Sequence, residues 1–233
     1  MGAANGRQRR GDGGIIRKQG ISYAVLTPNL KGYEAAKAAK ADEVAIFASA
    51  SEGFSRANVN ATIAESLERF APIVEAAKGD GMPVRGYVSC VTDCPFDGPT
   101  PPAMVARSVA WLRDAGCYEV SLGETIGHGT PESIDAMLNA VLQEMPADRL
   151  AGHYHDTKGR ALDNIAVSLE RGLRTFDSSA GGLGGCPYAP ALPAMSTPCG
   201  WLKWWKKEAL TPASTVSGWR KRQPSRSRFA VEE

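Results

Sequence analysis

The sequence predicts one α/β domain with the architecture of a TIM (β/α)8-type barrel, in which about six of the eight β/α units are present. Short apolar, β-rich runs alternate with longer helix-like stretches over residues 15–190, which is typical of right-handed βαβ units around a parallel sheet. A Gly-x-Gly-x-x-Gly motif does not follow the first run, which favours a barrel over a dinucleotide-binding sheet. A closed barrel needs eight strands and typically about 250 residues, so we expect an incomplete one.

The predicted elements begin and end at residues suited to those positions. Pro131 lies just inside a helix start, with Thr130 before it as the cap. Gly116 and Gly172 stand where helices should end, since glycine readily adopts the left-handed conformation of a helix C-terminus. The six predicted strands begin near the following residues: Ile21, Glu43, Val84, Tyr118, Leu150 and Thr175. The helix-like stretches include four ranges: 57–78, 101–115, 131–145 and 161–171.

Segments 1–14 and 191–233 depart from this alternation. The first is rich in glycine and arginine, and the second holds four of the five tryptophans together with an excess of lysine and arginine. Neither has the apolar spacing of a strand or of a convincing amphipathic helix. We therefore expect the partial barrel domain to cover residues 15–190, with a disordered tail after it.

The overall composition argues against several classes of protein. A net charge of +2 is unlike that of a dedicated nucleic-acid binder or membrane-surface protein, and no apolar run approaches the roughly 18–20 residues of a membrane-spanning helix. Five cysteines favour free thiols in a reducing, cytoplasmic compartment. Cys90 and Cys94 have no second pair at the spacing of a zinc site, so we expect no structural zinc.

The strongest chemical signal lies at the end of the strand that begins at Leu150. His153 and His155 are separated by one residue, so their side chains should point to the same side of the strand. In a parallel barrel the site lies at the carboxyl ends of the strands. Two imidazoles there, followed by Asp156, can supply two ligands of a divalent cation. The alternative is a pair of polar strand-end residues bonded to their neighbours, but the position at the barrel mouth favours a metal.

A glycine-rich loop follows the last predicted strand. Four of the five residues from 181 to 185 are glycine, and Cys186 comes next. Glycine lets a backbone approach a substrate closely, and a thiol on such a loop can serve as an acid, base or nucleophile. A flexible connection without a chemical role is the weaker interpretation.

Two further residues are candidates near the same mouth. Glu124 ends the strand from Tyr118, where a carboxylate can support a metal-bound water or take a proton, or can simply lie at the surface. Asn58 follows the second strand and can hydrogen-bond a polar substrate. Like Ser49 and Ser51, it can instead cap the helix that follows.

Four segments together resemble those of a known family: SASEGFSRANVN, SLGETIG, HYHDT and GGLGGCPYAP. Over about residues 15–190 the chain resembles 3-hydroxy-3-methylglutaryl-CoA lyase, whose active-site loop reads Gly-Leu-Gly-Gly-Cys-Pro-Tyr. The HxHD segment is shared more widely, with isopropylmalate and homocitrate synthases. The resemblance implies that His153 and His155 bind Mg²⁺ or Mn²⁺ and that Cys186 is the catalytic thiol. It also implies that Asn58 and Ser121 contact an acyl-CoA substrate.

The reaction implied by the resemblance is a retro-Claisen cleavage of 3-hydroxy-3-methylglutaryl-CoA to acetyl-CoA and acetoacetate, a step of leucine degradation and ketone-body formation. A divalent ion would lower the pKa of the substrate hydroxyl and orient the bond that breaks. A base would remove the hydroxyl proton, and the Cys186 thiol would supply a proton to the acetyl-CoA enolate. The partner would be an acyl-CoA, with neither nucleic acid nor membrane, and a homodimer is left open.

Three departures from the family pattern limit the expected activity. The aspartate of the family's SLGDTIG segment is Glu124 here, one methylene longer. An Arg-Asp-Gly-Leu-Gln motif, which in the family supplies a metal-binding aspartate and a catalytic arginine, is missing from this sequence. A further asparagine ligand shortly after the CPYAPG loop is missing too. We therefore expect weak or no lyase activity, and low stability because an open barrel exposes strand edges where the missing strands should pair.

Both unusual ends are consistent with translation out of frame. Permissible codons for residues 190–212, read one nucleotide earlier, give GSAGNVDTVRVAEMVEERGFDT, which restores the missing asparagine. Those for residues 1–14, read one nucleotide later, give WVPQMADSAEVMAG. The base sequence of the gene tests this hypothesis, since bases incompatible with these frames would exclude it.

Two alternatives to the lyase remain. A Claisen-condensing relative would use the same histidine pair without the Cys-Pro-Tyr loop, and it would condense its acyl-CoA with a 2-oxo acid. A catalytically inactive remnant or binding module would bind no Mn²⁺.

Overall fold

The computed structural model describes residues 16–179 of the 233-residue chain. Six parallel strands form one curled sheet, a half-barrel with the order β1-β2-β3-β6-β7-β8, and β4 and β5 form a short antiparallel hairpin. The strands are β1 (Ala24–Leu26), β2 (Glu43–Ser49), β3 (Val84–Ser89), β4 (Asp93–Cys94), β5 (Gly98–Pro99), β6 (Glu119–Glu124), β7 (Leu150–Tyr154) and β8 (Thr175–Phe176). The prediction of an incomplete TIM-type barrel is therefore confirmed.

Helices connect the parallel strands along the chain. They are α1 (Leu30–Ala38), α2 (Glu52–Val59), α3 (Ile63–Asp80), α4 (Pro102–Ala115), α5 (Pro131–Val141) and α6 (Ala161–Glu170). Thr130 caps α5, because its hydroxyl accepts a hydrogen bond from the backbone N–H of Ser133 at 3.3 Å. Gly116 ends α4 with a φ of 102°, a conformation that favours glycine. Both predicted helix boundaries are confirmed.

The single helix predicted over residues 57–78 is wrong, because two helices form there. Asn60 adopts a left-handed conformation, with a φ of 51°, and ends α2. Thr62 then caps α3: its hydroxyl accepts from the N–H of Glu65 at 3.1 Å, and the Glu65 carboxylate accepts from the N–H of Thr62 at 2.8 Å. This reciprocal capping satisfies two N–H groups and so stabilises a new helix start.

The strands at the centre of the sheet have two different faces, because side chains alternate along each strand. On the outer face, apolar residues join the helices in one hydrophobic core: Val84, Val88, Val120, Leu122 and Leu150. The residues between them lie on the inner face and are polar and buried: Arg85, Glu119, Ser121 and His153. Two of the predicted site residues, Ser121 on β6 and His153 on β7, therefore belong to this buried polar face.

Several predictions concern residues that the structure does not describe. These are the predictions for segments 1–14 and 191–233 and for the Cys186 loop. Within residues 16–179, no helix is both long enough and apolar enough to cross a membrane.

Candidate metal centre and active site

His153 and His155 lie together at the carboxyl end of the half-barrel. His153 is the fourth residue of β7, opposite Gly123 of β6, and only 8% of its surface is exposed. His155 follows the strand, and its backbone N–H donates to the carbonyl of Glu124 at 3.3 Å. The centroids of the two imidazole rings are 5.4 Å apart. The structure thus brings the two predicted metal ligands into one place.

Asp177 holds His153 from the neighbouring strand. It directly follows β8 and reaches the inner face beside His153 through the parallel pairing of β7 with β8. Its Oδ2 lies 3.0 Å from Nδ1 of His153 and accepts a hydrogen bond from the Ser121 hydroxyl at 2.9 Å. One carboxylate oxygen therefore contacts a predicted metal ligand and a predicted substrate-binding residue.

Arg85 connects the His153–Asp177 pair to Glu119 on the inner face of the half-barrel. One guanidinium nitrogen lies 2.9 Å from Oδ1 of Asp177, and Nε lies 2.8 Å from Oε1 of Glu119. Burial alone would raise the pKa of Asp177, but the charge of Arg85 and the hydrogen bonds from His153 and Ser121 hold that pKa well below its usual range. Since an unpaired buried ion costs several kcal/mol, these contacts keep Asp177 ionised and in place.

Tyr87 lies on the same inner face, between Arg85 and His153. Its hydroxyl accepts a hydrogen bond from Arg85, whose guanidinium carbon lies 4.9 Å from the centre of the tyrosine ring. The Tyr87 ring meets the His153 imidazole edge to face, with centroids 5.9 Å apart. His153 is therefore held by Asp177 and also packs against an aromatic ring.

The histidine pair fits a divalent cation as two of its ligands. Burial, with a smaller contribution from His153, lowers the pKa of His155 to about 4. His155 is therefore neutral at pH 7, which is the form that binds metals. The contact of His153 with Asp177 is the kind of carboxylate contact that commonly orients a ligating histidine. Within residues 16–179, no three His, Cys, Asp or Glu side chains are grouped to hold a metal ion, so further ligands would come from elsewhere.

Glu124 lies on the opposite face of β6 from Ser121. It is fully buried, and its Oε1 accepts hydrogen bonds from the backbone N–H groups of His128 at 3.0 Å and Gly129 at 3.1 Å. Burial raises the pKa of Glu124, and these hydrogen bonds, with one from Thr92, oppose that rise. The carboxylate is thus bonded to the loop between β6 and α5, and its predicted catalytic role stays a prediction.

The other predicted site residues lie in different places. Ser121 is fully buried on the inner face. Asn58 lies in the last turn of α2 and is partly buried, so it does not cap that helix. Ser51 does, since its hydroxyl accepts a backbone hydrogen bond at 3.1 Å. Cys186 lies outside the described residues, and the acyl-CoA contacts of Ser121 and Asn58 stay predictions.

Arg85, Glu119 and Asp177 belong to the site but were not among the residues predicted from the sequence. A charged residue between apolar neighbours, as in the strands VRGYVS and EVSLGE, signals a buried ion pair. Which residues form that pair depends on the register of separate strands, so this signal does not reach as far as Asp177.

The half-barrel with two histidines at its carboxyl end defines the class: a TIM-barrel protein with a candidate metal site at the usual end of the barrel. The HMG-CoA lyase from Brucella melitensis has the same fold, with a TM-score of 0.84 and 57% identity over 87% of this chain and 72% of that one. The HMG-CoA lyase from Acinetobacter baumannii, solved in complex with coenzyme A and 3-methylmalate, gives a TM-score of 0.82 and 31% identity over 88% of this chain and 67% of that one.

The chain belongs to the HMGL-like family, whose model matches residues 13–190. The 3-hydroxy-3-isohexenylglutaryl-CoA/hydroxy-methylglutaryl-CoA lyase of Pseudomonas aeruginosa is 54% identical over 176 residues, which are 76% of this chain and 59% of that protein. The cytoplasmic 3-hydroxy-3-methylglutaryl-CoA lyase of Danio rerio is also 54% identical, over 76% of this chain and 52% of its own length. The chain thus spans less than two thirds of the length of these relatives.

Proposed function

We propose that this chain carries part of the site for divalent-metal-dependent retro-Claisen cleavage of 3-hydroxy-3-methylglutaryl-CoA to acetyl-CoA and acetoacetate. The observation that carries the proposal is the histidine pair, with ring centroids 5.4 Å apart, on the inner face of a half-barrel that belongs to the HMGL-like family. The coenzyme A in the Acinetobacter structure supports an acyl-CoA substrate. The relatives at 54% identity are named as lyases and not as synthases.

Five of the predicted site residues would have one task each. His153 and His155 would hold Mg²⁺ or Mn²⁺, which when bound lowers the pKa of the substrate's tertiary hydroxyl and orients the bond to be broken. Ser121 and Asn58 would hydrogen-bond the acyl-CoA. The Cys186 thiol would give its proton to the carbon that cleavage leaves as an enolate.

The step that this chain is least equipped to catalyse is removal of the proton from the substrate's tertiary hydroxyl. The sequence lacks the Arg-Asp-Gly-Leu-Gln motif, which in the family supplies a catalytic arginine and a metal-binding aspartate. We therefore expect the 233-residue chain to turn over slowly even where the metal binds.

A cleavage assay on the purified full chain tests the proposal. With Mn²⁺ or Mg²⁺ present, we expect slow acetoacetate formation that a chelator abolishes and that His153→Ala abolishes as well. His128→Ala removes the histidine outside the pair and should retain the rate, which makes it the matched control.

Three other outcomes would change the conclusion. Fast metal-dependent turnover would contradict the expected weakness of the chain. Condensation with a 2-oxo acid, without cleavage, would favour a synthase. Absence of both reactions, together with no Mn²⁺ binding, would favour an inactive remnant.

Location and assembly belong to the same proposal. We propose a cytoplasmic protein, as the Danio rerio relative is by its name, and cell fractionation tests this. Light scattering on the purified chain tests whether it forms the homodimer that the sequence leaves open.

A further inference from the structure

We propose that Asp177 is a positioning residue for the metal site: it keeps a proton on Nδ1 of His153 and so makes Nε2 the nitrogen that binds a divalent cation. This inference rests on the metal-binding role of His153 in the proposed function. It assigns a task to Asp177, which follows β8, whereas the two histidines lie at the end of β7. Asp177 is not part of the sequence motifs that predict the site.

The hydrogen bonds of the Asp177 carboxylate determine which nitrogen of His153 carries the proton. Oδ1 of Asp177 lies 2.9 Å from the Arg85 guanidinium, and Oδ2 lies 3.0 Å from Nδ1 of His153. An ionised carboxylate can only accept hydrogen bonds, so Nδ1 must be the donor. In a neutral imidazole the other nitrogen, Nε2, then carries the lone pair that a cation needs.

Asp177 cannot easily turn away from His153. Arg85 holds one of its oxygens, and the hydroxyl of Ser121 donates to the other at 2.9 Å. Arg85 is itself fixed from its far side by Glu119, at 2.8 Å. A carboxylate held at both oxygens fixes the rotation of the imidazole as well as its tautomer.

The charge of Asp177 also favours a cation beside His153. Arg85 is shared by two buried carboxylates, those of Asp177 and Glu119, and side-chain exposure is 5–6% for all three. The Asp177 carboxylate lies 3.0 Å behind His153, so a cation on the far side of the imidazole is favoured electrostatically through the His153–Asp177 contact.

Imidazole nitrogen spectra of the full, metal-free wild-type chain test the proposal directly, and a variant is needed only to assign the signals. The chain has three histidines, so long-range proton–nitrogen correlation at pH 8 gives three patterns, and His153→Gln identifies that of His153. We expect a proton on Nδ1 of His153. A bare Nδ1 would overturn the proposal.

Variants then test the consequence for the metal. Asp177→Asn should weaken Mn²⁺ binding about 10- to 100-fold, the usual effect of losing a carboxylate behind a ligating histidine, and should change the His153 nitrogen pattern. Asp177→Glu should restore part of the affinity. Glu43→Gln is the matched control, because it removes another buried carboxylate of the sheet, one that accepts a hydrogen bond from the Tyr118 hydroxyl, and it should leave both readouts within about twofold of wild type.

The possible failures can be distinguished. Equal Mn²⁺ affinity of Asp177→Asn and wild type would overturn the positioning role, and so would equal weakening by Glu43→Gln, since that would show a general effect of removing a buried carboxylate. If acetoacetate formation fails while both readouts behave as expected, the positioning role stands and the cleavage proposal fails.

Discussion

The two faces of the central strands are both buried, but they are stabilised in opposite ways. On β6, Val120 and Leu122 point outward and are fully buried in the hydrophobic core. Glu119 and Ser121 alternate with them, point inward and are also buried, yet they are polar. The outer face gains free energy from removing apolar surface from water. The inner face requires a network of ion pairs and hydrogen bonds just to offset the cost of burial.

The two faces therefore contribute differently to stability and to the candidate site. A buried ionic network can be neutral for stability or even unfavourable compared with apolar residues of the same size. The inner face nevertheless holds Arg85, Asp177 and His153 in contact at distances of 2.9 Å and 3.0 Å. We infer that the outer face specifies the fold and the inner face fixes the geometry of the site.

The largest effect is expected from removing the charge at the centre of the inner face. Arg85→Met leaves Asp177 and Glu119 buried without their guanidinium partner, which should cost about 3–5 kcal/mol in the free energy of unfolding. Urea denaturation followed by circular dichroism measures it. Arg113→Met is the matched control, because Arg113 pairs with Glu144 at the surface and should lose less than about 1 kcal/mol. Equal losses would show that the inner network has no special role.

A neighbouring pair on β6 compares the two faces directly. Leu122→Ala should cost about 3 kcal/mol through the cavity left in the core while leaving Mn²⁺ affinity unchanged. Ser121→Ala should cost only about 1 kcal/mol, the usual value for one hydrogen bond, but should affect substrate binding. A larger loss of stability for Ser121→Ala than for Leu122→Ala would reverse the assignment of the two faces.

The inner face should also make stability depend on pH. The pKa of His155 is about 4 in the folded chain, against about 6.5 in an unfolded one. The unfolded state therefore binds more protons between pH 6.5 and 4, so this contribution is complete above pH 6.5 and is lost as the pH falls to 4. The loss amounts to about 3 kcal/mol, at roughly 1.4 kcal/mol for each pKa unit. His155→Gln should flatten this part of the curve, and an unchanged slope would contradict it.

The last prediction concerns a fully buried thiol of the apolar core, that of Cys117. Burial raises the pKa of Cys117 to about 12, only partly opposed by Arg149. Since the thiolate is the reactive form, Cys117 should react with iodoacetamide at least about 100-fold more slowly in the native chain than in urea. Mass spectrometry of peptides measures each cysteine separately. Rapid native labelling of Cys117 would mean that the core opens easily.

Features that depend on local sequence could be predicted, and those that depend on strand register could not. The six strands and the histidine pair follow from short apolar runs and from the spacing of His153 and His155. The break between α2 and α3 was missed, although the spacing of Thr62 and Glu65 fits a capping box. That signal was available in the sequence.

The network on the inner face is the part that sequence analysis could not reach. Arg85 meets Asp177 only because β3, β6, β7 and β8 lie side by side in one register. Alternation along β6 does indicate that Glu124 and Ser121 face opposite sides. It does not tell which backbone N–H groups donate hydrogen bonds to the Glu124 carboxylate, since the path of the following loop decides this.

A calorimetric titration of the full chain with Mn²⁺ decides whether the inner face carries a metal site. If His153 and His155 form part of a metal site on the inner face, the wild-type chain binds Mn²⁺ and His153→Ala weakens that binding at least about tenfold, while Leu122→Ala on the outer face does not. A wild-type chain that binds no Mn²⁺, or a His153→Ala variant that binds it equally well, would contradict the account.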